Sequence, residues 1–84
     1  MILRWAGNAW EDYLYWQQTD KKILKRINTL IKDIDGQPFE GLGNPESLRH
    51  HWSGFWSRRI NREHRLVYQV SDGVITIVQC RYHY

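Results

Sequence analysis

Four side chains in the second half of the chain could together cleave RNA without a metal ion: Glu46, Arg65, His83 and Tyr84. Such cleavage needs a base for the 2′-hydroxyl proton, a cation for the crowded phosphorane and an acid for the departing 5′-oxygen. A carboxylate, a guanidinium and an imidazole can fill these three roles, and imidazole titrates near neutral pH. The tyrosine could stack on a base or orient a phosphate oxygen. The set predicts ribonuclease chemistry.

Arginines are concentrated in the same half of the chain and favour a polyanionic partner. The formal net charge is +3 and the pI is about 9.2. The planar guanidinium fork can hold two phosphate oxygens and stays charged at every relevant pH, so Arg49 and Arg59 join the candidate site. The clustered arginines are Arg49, Arg58, Arg59, Arg62, Arg65 and Arg81.

Other classes of site find little support in the sequence. The histidines at 50, 51 and 64 and Cys80 lack a recognised zinc spacing, so we expect no metal site. No glycine-rich phosphate loop is present, so we expect no cofactor. A single cysteine excludes an internal disulfide, and no apolar run is long enough for a membrane span or a signal peptide. These features predict a cytoplasmic protein that does not contact membranes.

The length and the hydrophobic periodicity predict one domain over residues 1–84, beginning with a short strand and two helices. Asn8 and Glu11 are expected to form a capping box at the first helix. The second helix should begin near Lys21 and place an isoleucine- and leucine-rich stripe in the core, with lysines on the opposite side. One face of the first helix should carry Trp10, Tyr13, Leu14 and Gln17. The core stripe of the second comprises Ile23, Ile27, Leu30, Ile31 and Ile34.

The remainder of the chain indicates a loop followed by strands. Residues 37–45 are rich in Gly and Pro, and strands are expected near 55–59, at 65–70 and from Val74 onward, with a further short strand near 47–50 possible. Asp72-Gly73 is a strong hairpin signal. The last strand is expected to continue to the terminus and to hold His83. The predicted fold class is α+β, with two N-terminal helices packed on an antiparallel sheet of four to five strands.

Six segments of the chain resemble the YoeB-type toxins of the RelE superfamily. Four lie in the second half, at residues 45–48, 54–60, 63–68 and 80–84, and two lie in the first, at 11–16 and 30–33. The resemblance therefore extends over the whole chain. It implies a microbial-ribonuclease-like fold and an endonuclease that cuts mRNA in the A site of the 70S ribosome. The expected products carry a 2′,3′-cyclic phosphate and a 5′-hydroxyl group.

The resemblance also implies roles for individual residues and partners. Glu46 matches the general base, His83 the general acid and Arg65 the cation that stabilises the transition state, while Tyr84 completes the site. Arg59 matches a supporting phosphate or rRNA contact. Arg49 stands where the family has a lysine, which keeps the charge and changes the donor geometry. The implied protein partners are an inhibitory antitoxin of the YefM type and a second copy of the chain.

Two other functions remain open from the sequence. ParE-like toxins share the superfamily fold and inhibit DNA gyrase by binding, without cleaving RNA. A small RNA-binding domain without catalytic activity is the other alternative. A gyrase inhibitor has no chemical need for the polar set at Glu46, Arg65, His83 and Tyr84, which favours the nuclease.

Overall fold

Two consecutive helices lie on one face of a five-stranded sheet in the computed structural model, which describes residues 1–82. A 3-10 turn at His50–Trp52 connects the second and third strands. In chain order the elements are β1 (Ile2–Trp5), α1 (Ala9–Thr19), α2 (Lys21–Gly36), β2 (Glu46–Ser47), β3 (Trp56–Arg59), β4 (Arg65–Ser71) and β5 (Val74–Gln79). The α+β prediction is confirmed, and neither helix is long and apolar enough to cross a membrane.

The strand order is β1-β5-β4-β3-β2, and one of its pairings departs from the expected antiparallel sheet. β1 pairs parallel to β5, with Ile2 opposite Val74 and Trp5 opposite Ile77, whereas the other three pairs are antiparallel. A parallel neighbour needs a crossover connection, and here the helical hairpin belongs to the long crossover from β1 to β5. The helices thereby cover one face of the sheet.

The helical hairpin is closed by Asp20, whose carboxylate accepts hydrogen bonds from the backbone N–H groups of Lys22 and Ile23. This is an N-cap of α2. The expected capping box at α1 is wrong, because the Asn8 side chain makes no capping hydrogen bond. The Asn8 backbone carbonyl instead accepts a hydrogen bond from the backbone N–H of Asp12.

The core lies between the helices and the sheet. In α2 the predicted stripe is confirmed, with Ile27, Leu30 and Ile34 fully buried. In α1 the buried residues are Ala9 and Trp16, not the face expected from its periodicity. The sheet contributes the buried side chains of Leu66, Tyr68, Ile75 and Ile77.

Candidate active site on the open face of the sheet

Strand register brings the candidate residues of β2, β3 and β4 to the face of the sheet away from the helices, here called the open face. Glu46 is opposite Ser57, which is opposite Val67, and Arg59 is opposite Arg65. Opposed residues in a sheet share a face, and so do residues two apart on one strand. These five residues therefore lie on one face.

The Arg65 side chain extends onto β3, the strand between β4 and the strand that carries Glu46. Its Nη1 atom lies 3.5 Å from the hydroxyl oxygen of Ser57, the register partner of Glu46. Neighbouring strands are about 4.8 Å apart, so β2 and β4 are separated by roughly 10 Å. A carboxylate and a guanidinium on one face at this strand separation could both act on one bound phosphodiester.

Glu46 and Arg59 are exposed, and within residues 1–82 neither side chain forms a hydrogen bond or an ion pair. Arg49 is also exposed and lies with Glu46 along an open cavity of about 370 Å³ lined by residues 46–52. A carboxylate and cations that are not engaged with each other remain available to a bound anion. The predicted residues Glu46, Arg59 and Arg65 thus share the open face, with Arg49 at its edge.

Arg58 has to be removed from the predicted polyanion-binding cluster, because its side chain is completely buried on the helix side. Its guanidinium donates to the carboxylate of Asp33, the hydroxyl of Tyr68 and the backbone carbonyls of Gln37, Glu40 and Leu42. These contacts with α2, β4 and the segment between α2 and β2 satisfy a buried charge. Arg58 therefore organises the fold and cannot meet a ligand.

Beyond β5 the chain is held by α1. The Trp16 indole N–H donates to the carbonyl of Cys80 at 2.9 Å, and the Asp12 carboxylate accepts from the Cys80 N–H at 3.3 Å. Burial raises the pKa of Asp12 above its ordinary value, while the Cys80 N–H and Arg81 oppose that rise. The prediction that the last strand continues to the terminus is wrong for residues 80–82, because strand structure stops at Gln79. Hydrogen bonds to α1 hold the chain after β5 instead.

Tyr82 is the last described residue, and its backbone is bonded on both sides. Its N–H donates to Nδ1 of His64 at 2.7 Å, and its carbonyl accepts from the N–H of Arg65 at 3.0 Å. The Arg81 guanidinium lies 3.6 Å from the centre of the Tyr15 ring and 4.6 Å from that of the Tyr82 ring. These contacts bring the segment that precedes the last two residues next to Arg65.

His83 and Tyr84 lie outside the described residues, so their predicted roles stay predictions. Sequence reasoning did not identify Ser57, His64 or Trp16 as part of the site. Ser57 could have been found from strand alternation, since it precedes Arg59 by two residues on β3. No pattern in the sequence signalled that His64 and Trp16 would contact the chain end.

His50, His51 and Cys80 do not form a cluster. His50 and His51 are exposed in the 3-10 turn, whereas Cys80 is buried in the core and burial raises its pKa to about 12. Among residues 1–82 no group of three or more His, Cys, Asp or Glu side chains could hold a metal ion. The thiol is a core group, consistent with its interpretation from the sequence.

Comparison with known proteins gives one consistent result. Residues 5–84 match the model of the YoeB-like toxins of bacterial type II toxin–antitoxin systems. Toxin YoeB of Escherichia coli strain K12 is 62% identical over 84 residues, covering 100% of both chains. A solved YoeB/ParE toxin from Agrobacterium tumefaciens is 48% identical with a TM-score of 0.97, again covering 100% of both.

Two solved structures from Staphylococcus aureus are similar to the chain as well. One is a heterotetrameric YoeB–YefM toxin–antitoxin complex and the other is a YoeB dimer. Each matches at 50% identity with a TM-score of 0.93, covering 100% of this chain and 98% of the other. On the family match and the relatives together, this chain belongs to the YoeB-like toxins of bacterial type II toxin–antitoxin systems.

Proposed function

We propose that this toxin is a ribosome-dependent endoribonuclease that cuts A-site mRNA by metal-independent acid–base transesterification and thereby inhibits translation. The observation that carries the proposal is the position of the Arg65 guanidinium over Ser57, the register partner of Glu46. Strand register brings this cation and the carboxylate to one face of the sheet, on strands roughly 10 Å apart. Neither side chain forms an ion pair within residues 1–82.

Glu46 acts as the general base in this mechanism. Its exposed carboxylate takes the proton of the 2′-hydroxyl, and the 2′-oxygen attacks the adjacent phosphorus. The bond between phosphorus and the 2′-oxygen forms as the bond to the 5′-oxygen breaks. The products are a 2′,3′-cyclic phosphate and a 5′-hydroxyl group, so no water is consumed in the step.

Arg65 neutralises the charge that develops on the phosphorane oxygens. Its half-buried position holds the guanidinium in place before the substrate arrives, which is the condition for effective transition-state stabilisation. Arg59, opposite Arg65 in the sheet, and Arg49, beside Glu46 in the cavity, bind neighbouring phosphates of mRNA or rRNA. The resulting binding weakens as salt concentration rises.

His83 supplies the proton to the departing 5′-oxygen, and Tyr84 orients the substrate. These two roles rest on the family resemblance and on the chemistry of the side chains. Supporting evidence comes from Tyr82, whose backbone bonds to His64 and Arg65 deliver the chain to the edge of the site immediately before His83. An imidazole suits the role of general acid, because the ordinary pKa of histidine lies close to neutral pH.

The proposed protein partners are inferred from the solved structures of the relatives, which include a YoeB–YefM complex and a YoeB dimer. We assign an inhibitory antitoxin of the YefM type, a homodimeric toxin and a cytoplasmic location where the 70S ribosome is the target. An acidic antitoxin segment that folds over Arg59 and Arg65 would neutralise these cations and occlude the open face. Inhibition by the antitoxin and binding of mRNA are then mutually exclusive.

The test is primer extension on a defined mRNA carried by programmed ribosomes. Wild type should cut at the A-site codon and leave ribosome-free mRNA intact. Glu46→Gln and His83→Gln should each slow cleavage by roughly 10²–10⁴-fold, the usual range for general acid–base groups. Arg65→Ala should cost on the order of 10²–10³-fold, as for the loss of a transition-state hydrogen-bond donor.

The matched control is Gln18→Ala, an exposed position of α1 remote in sequence from these residues, which should cut like wild type. Intact mRNA after incubation with wild-type toxin would overturn the proposal. Inhibition of DNA supercoiling by gyrase would in that case identify the binding toxin of the ParE type. Undiminished cleavage by His83→Gln would remove the acid assignment alone.

A further inference from the structure

His64 lies at the junction between the sheet and the chain end. Its side chain is 9% exposed and packs edge-on against the indole of Trp16, with ring centres 4.7 Å apart. Nδ1 accepts the hydrogen bond from the Tyr82 N–H at 2.7 Å. A buried histidine with this partner cannot reach substrate, but it can fix the backbone it binds.

The backbone that it binds is strained. Tyr82 has a φ of +65°, in the left-handed region that residues with a side chain rarely occupy. Such a conformation persists only where neighbouring groups impose it. His64 and Arg65, which are consecutive in the chain, bond the N–H and the carbonyl of Tyr82. The two bonds form a clamp on this residue.

We infer that His64 is a positioning residue for cleavage, acting through the Tyr82 backbone on the proposed acid His83. The inference rests on the proposed function, because His83 directly follows the clamped residue. The other half of the clamp is the backbone of Arg65, so Tyr82, the residue before the proposed acid, is bonded to the residue that carries the proposed transition-state cation. A small displacement of a catalytic group can cost about a hundredfold in rate.

Three variants separate positioning from packing. In His64→Asn the amide oxygen occupies nearly the place of Nδ1 and can accept from Tyr82, although the ring is lost. His64→Leu fills a similar volume and has no acceptor. A role in packing alone predicts that the polar asparagine is at least as damaging as leucine. Positioning predicts the reverse, and Gln18→Ala again serves as the control.

The first readout is hydrogen exchange at the Tyr82 amide, followed by NMR. Wild type and His64→Asn should protect this amide, and His64→Leu should lose the protection. The second readout is single-turnover cleavage on programmed ribosomes. His64→Leu should be slower by roughly 10–100-fold at saturating toxin, with binding to the ribosome unchanged, while His64→Asn recovers most of the rate.

The outcomes are distinct for the two proposals. Cleavage by His64→Leu at the wild-type rate would overturn the inference and leave the nuclease standing. Equal damage in the leucine and asparagine variants would reduce His64 to a packing role. If the wild-type toxin does not cut mRNA on programmed ribosomes, the proposed function fails, and the positioning role of His64 in cleavage fails as well. If His64→Leu does not fold, His64→Gln is used in its place. The glutamine amide lies one bond further from the backbone than the asparagine amide, so its oxygen is displaced from the position of Nδ1.

Discussion

Arg58 and Arg59 are consecutive on β3, yet one guanidinium is enclosed in the fold and the other is exposed on the open face. Strand alternation produces this division. Arg58 is bonded to Asp33, Tyr68 and the loop carbonyls, whereas the Arg59 side chain makes no such contact within residues 1–82. Adjacent residues of the same type are therefore expected to give opposite results on substitution.

Arg58→Met should destabilise the protein by about 3–5 kcal/mol, because it leaves a carboxylate and buried carbonyls without their donor. Met retains an apolar stem, so the loss reports mainly on the guanidinium. Arg59→Ala should change the unfolding free energy by less than about 0.5 kcal/mol while reducing mRNA cleavage. Urea denaturation measures the two stability changes, and equal losses would contradict the assignment.

Stability should depend on Asp33 in acid. Hydrogen bonds from Gln37, Leu42 and Arg58 lower the pKa of Asp33 from 3.8 to about 2. Since the folded pKa lies below the unfolded one, the contribution of Asp33 is fully present above about pH 4 and is lost as pH falls towards 2. Asp12, whose pKa is raised by burial, acts with the opposite sign over its own interval.

The difference between wild type and Asp33→Asn isolates this effect. Urea midpoints measured from about pH 6 down to about pH 2.5 should fall more steeply for wild type. The two curves should approach each other at the acid end, where the wild-type carboxyl is protonated. Parallel curves over the whole interval would show that Asp33 has the same pKa in the folded and unfolded chains.

Gly43 is expected to tolerate no side chain. A Cβ there would lie 2.9 Å from Leu30 Cδ2 and 3.1 Å from Arg58 Cβ, and its φ is +78°. Gly43→Ala should therefore cost about 1–3 kcal/mol. At Gly36, the last residue of α2, a Cβ would meet no atom within 4 Å, so Gly36→Ala should be neutral or stabilising by up to about 1 kcal/mol. Thermal or urea unfolding of both variants checks the contrast.

The thiol of Cys80 should be inert in the native protein. It is fully buried, and burial raises its pKa to about 12, so little thiolate exists in mildly alkaline buffer. We expect Ellman's reagent to react slowly with the native protein and to titrate one thiol per chain in guanidinium chloride. Rapid reaction without denaturant would show that the segment after β5 opens readily.

Much of the fold could be predicted from local patterns. The α2 stripe and the Asp72-Gly73 hairpin arise from interactions between near neighbours, and both elements form where the pattern indicates. The parallel pairing of β1 with β5 could not be predicted in this way, since it joins the two ends of the chain, with Ile2 opposite Val74. Hydrophobic patterns indicate strands without indicating their partners.

The residues of the candidate site could be named from the sequence, whereas their arrangement could be predicted only in part. Glu46, Arg59 and Arg65 were identified by type, and the register brings them to one face. Arg58 misled the prediction because a buried arginine has no sequence signal and depends on acceptors in a distant loop. The contacts of His64 and Trp16 with the chain end were missed for the same reason.

The interior position of β5 in the sheet has a consequence for synthesis. β1, the first strand to be made, pairs with β5, which follows all the other described strands in the chain. A nascent chain that lacks residues 74–79 cannot complete its sheet, and Asp12 and Trp16 have no partner at Cys80. Closure of such distant contacts comes late in folding. A chain that ends before residue 74 therefore lacks the strand that joins β1 to β4, and the sheet is completed only after β5 has been made.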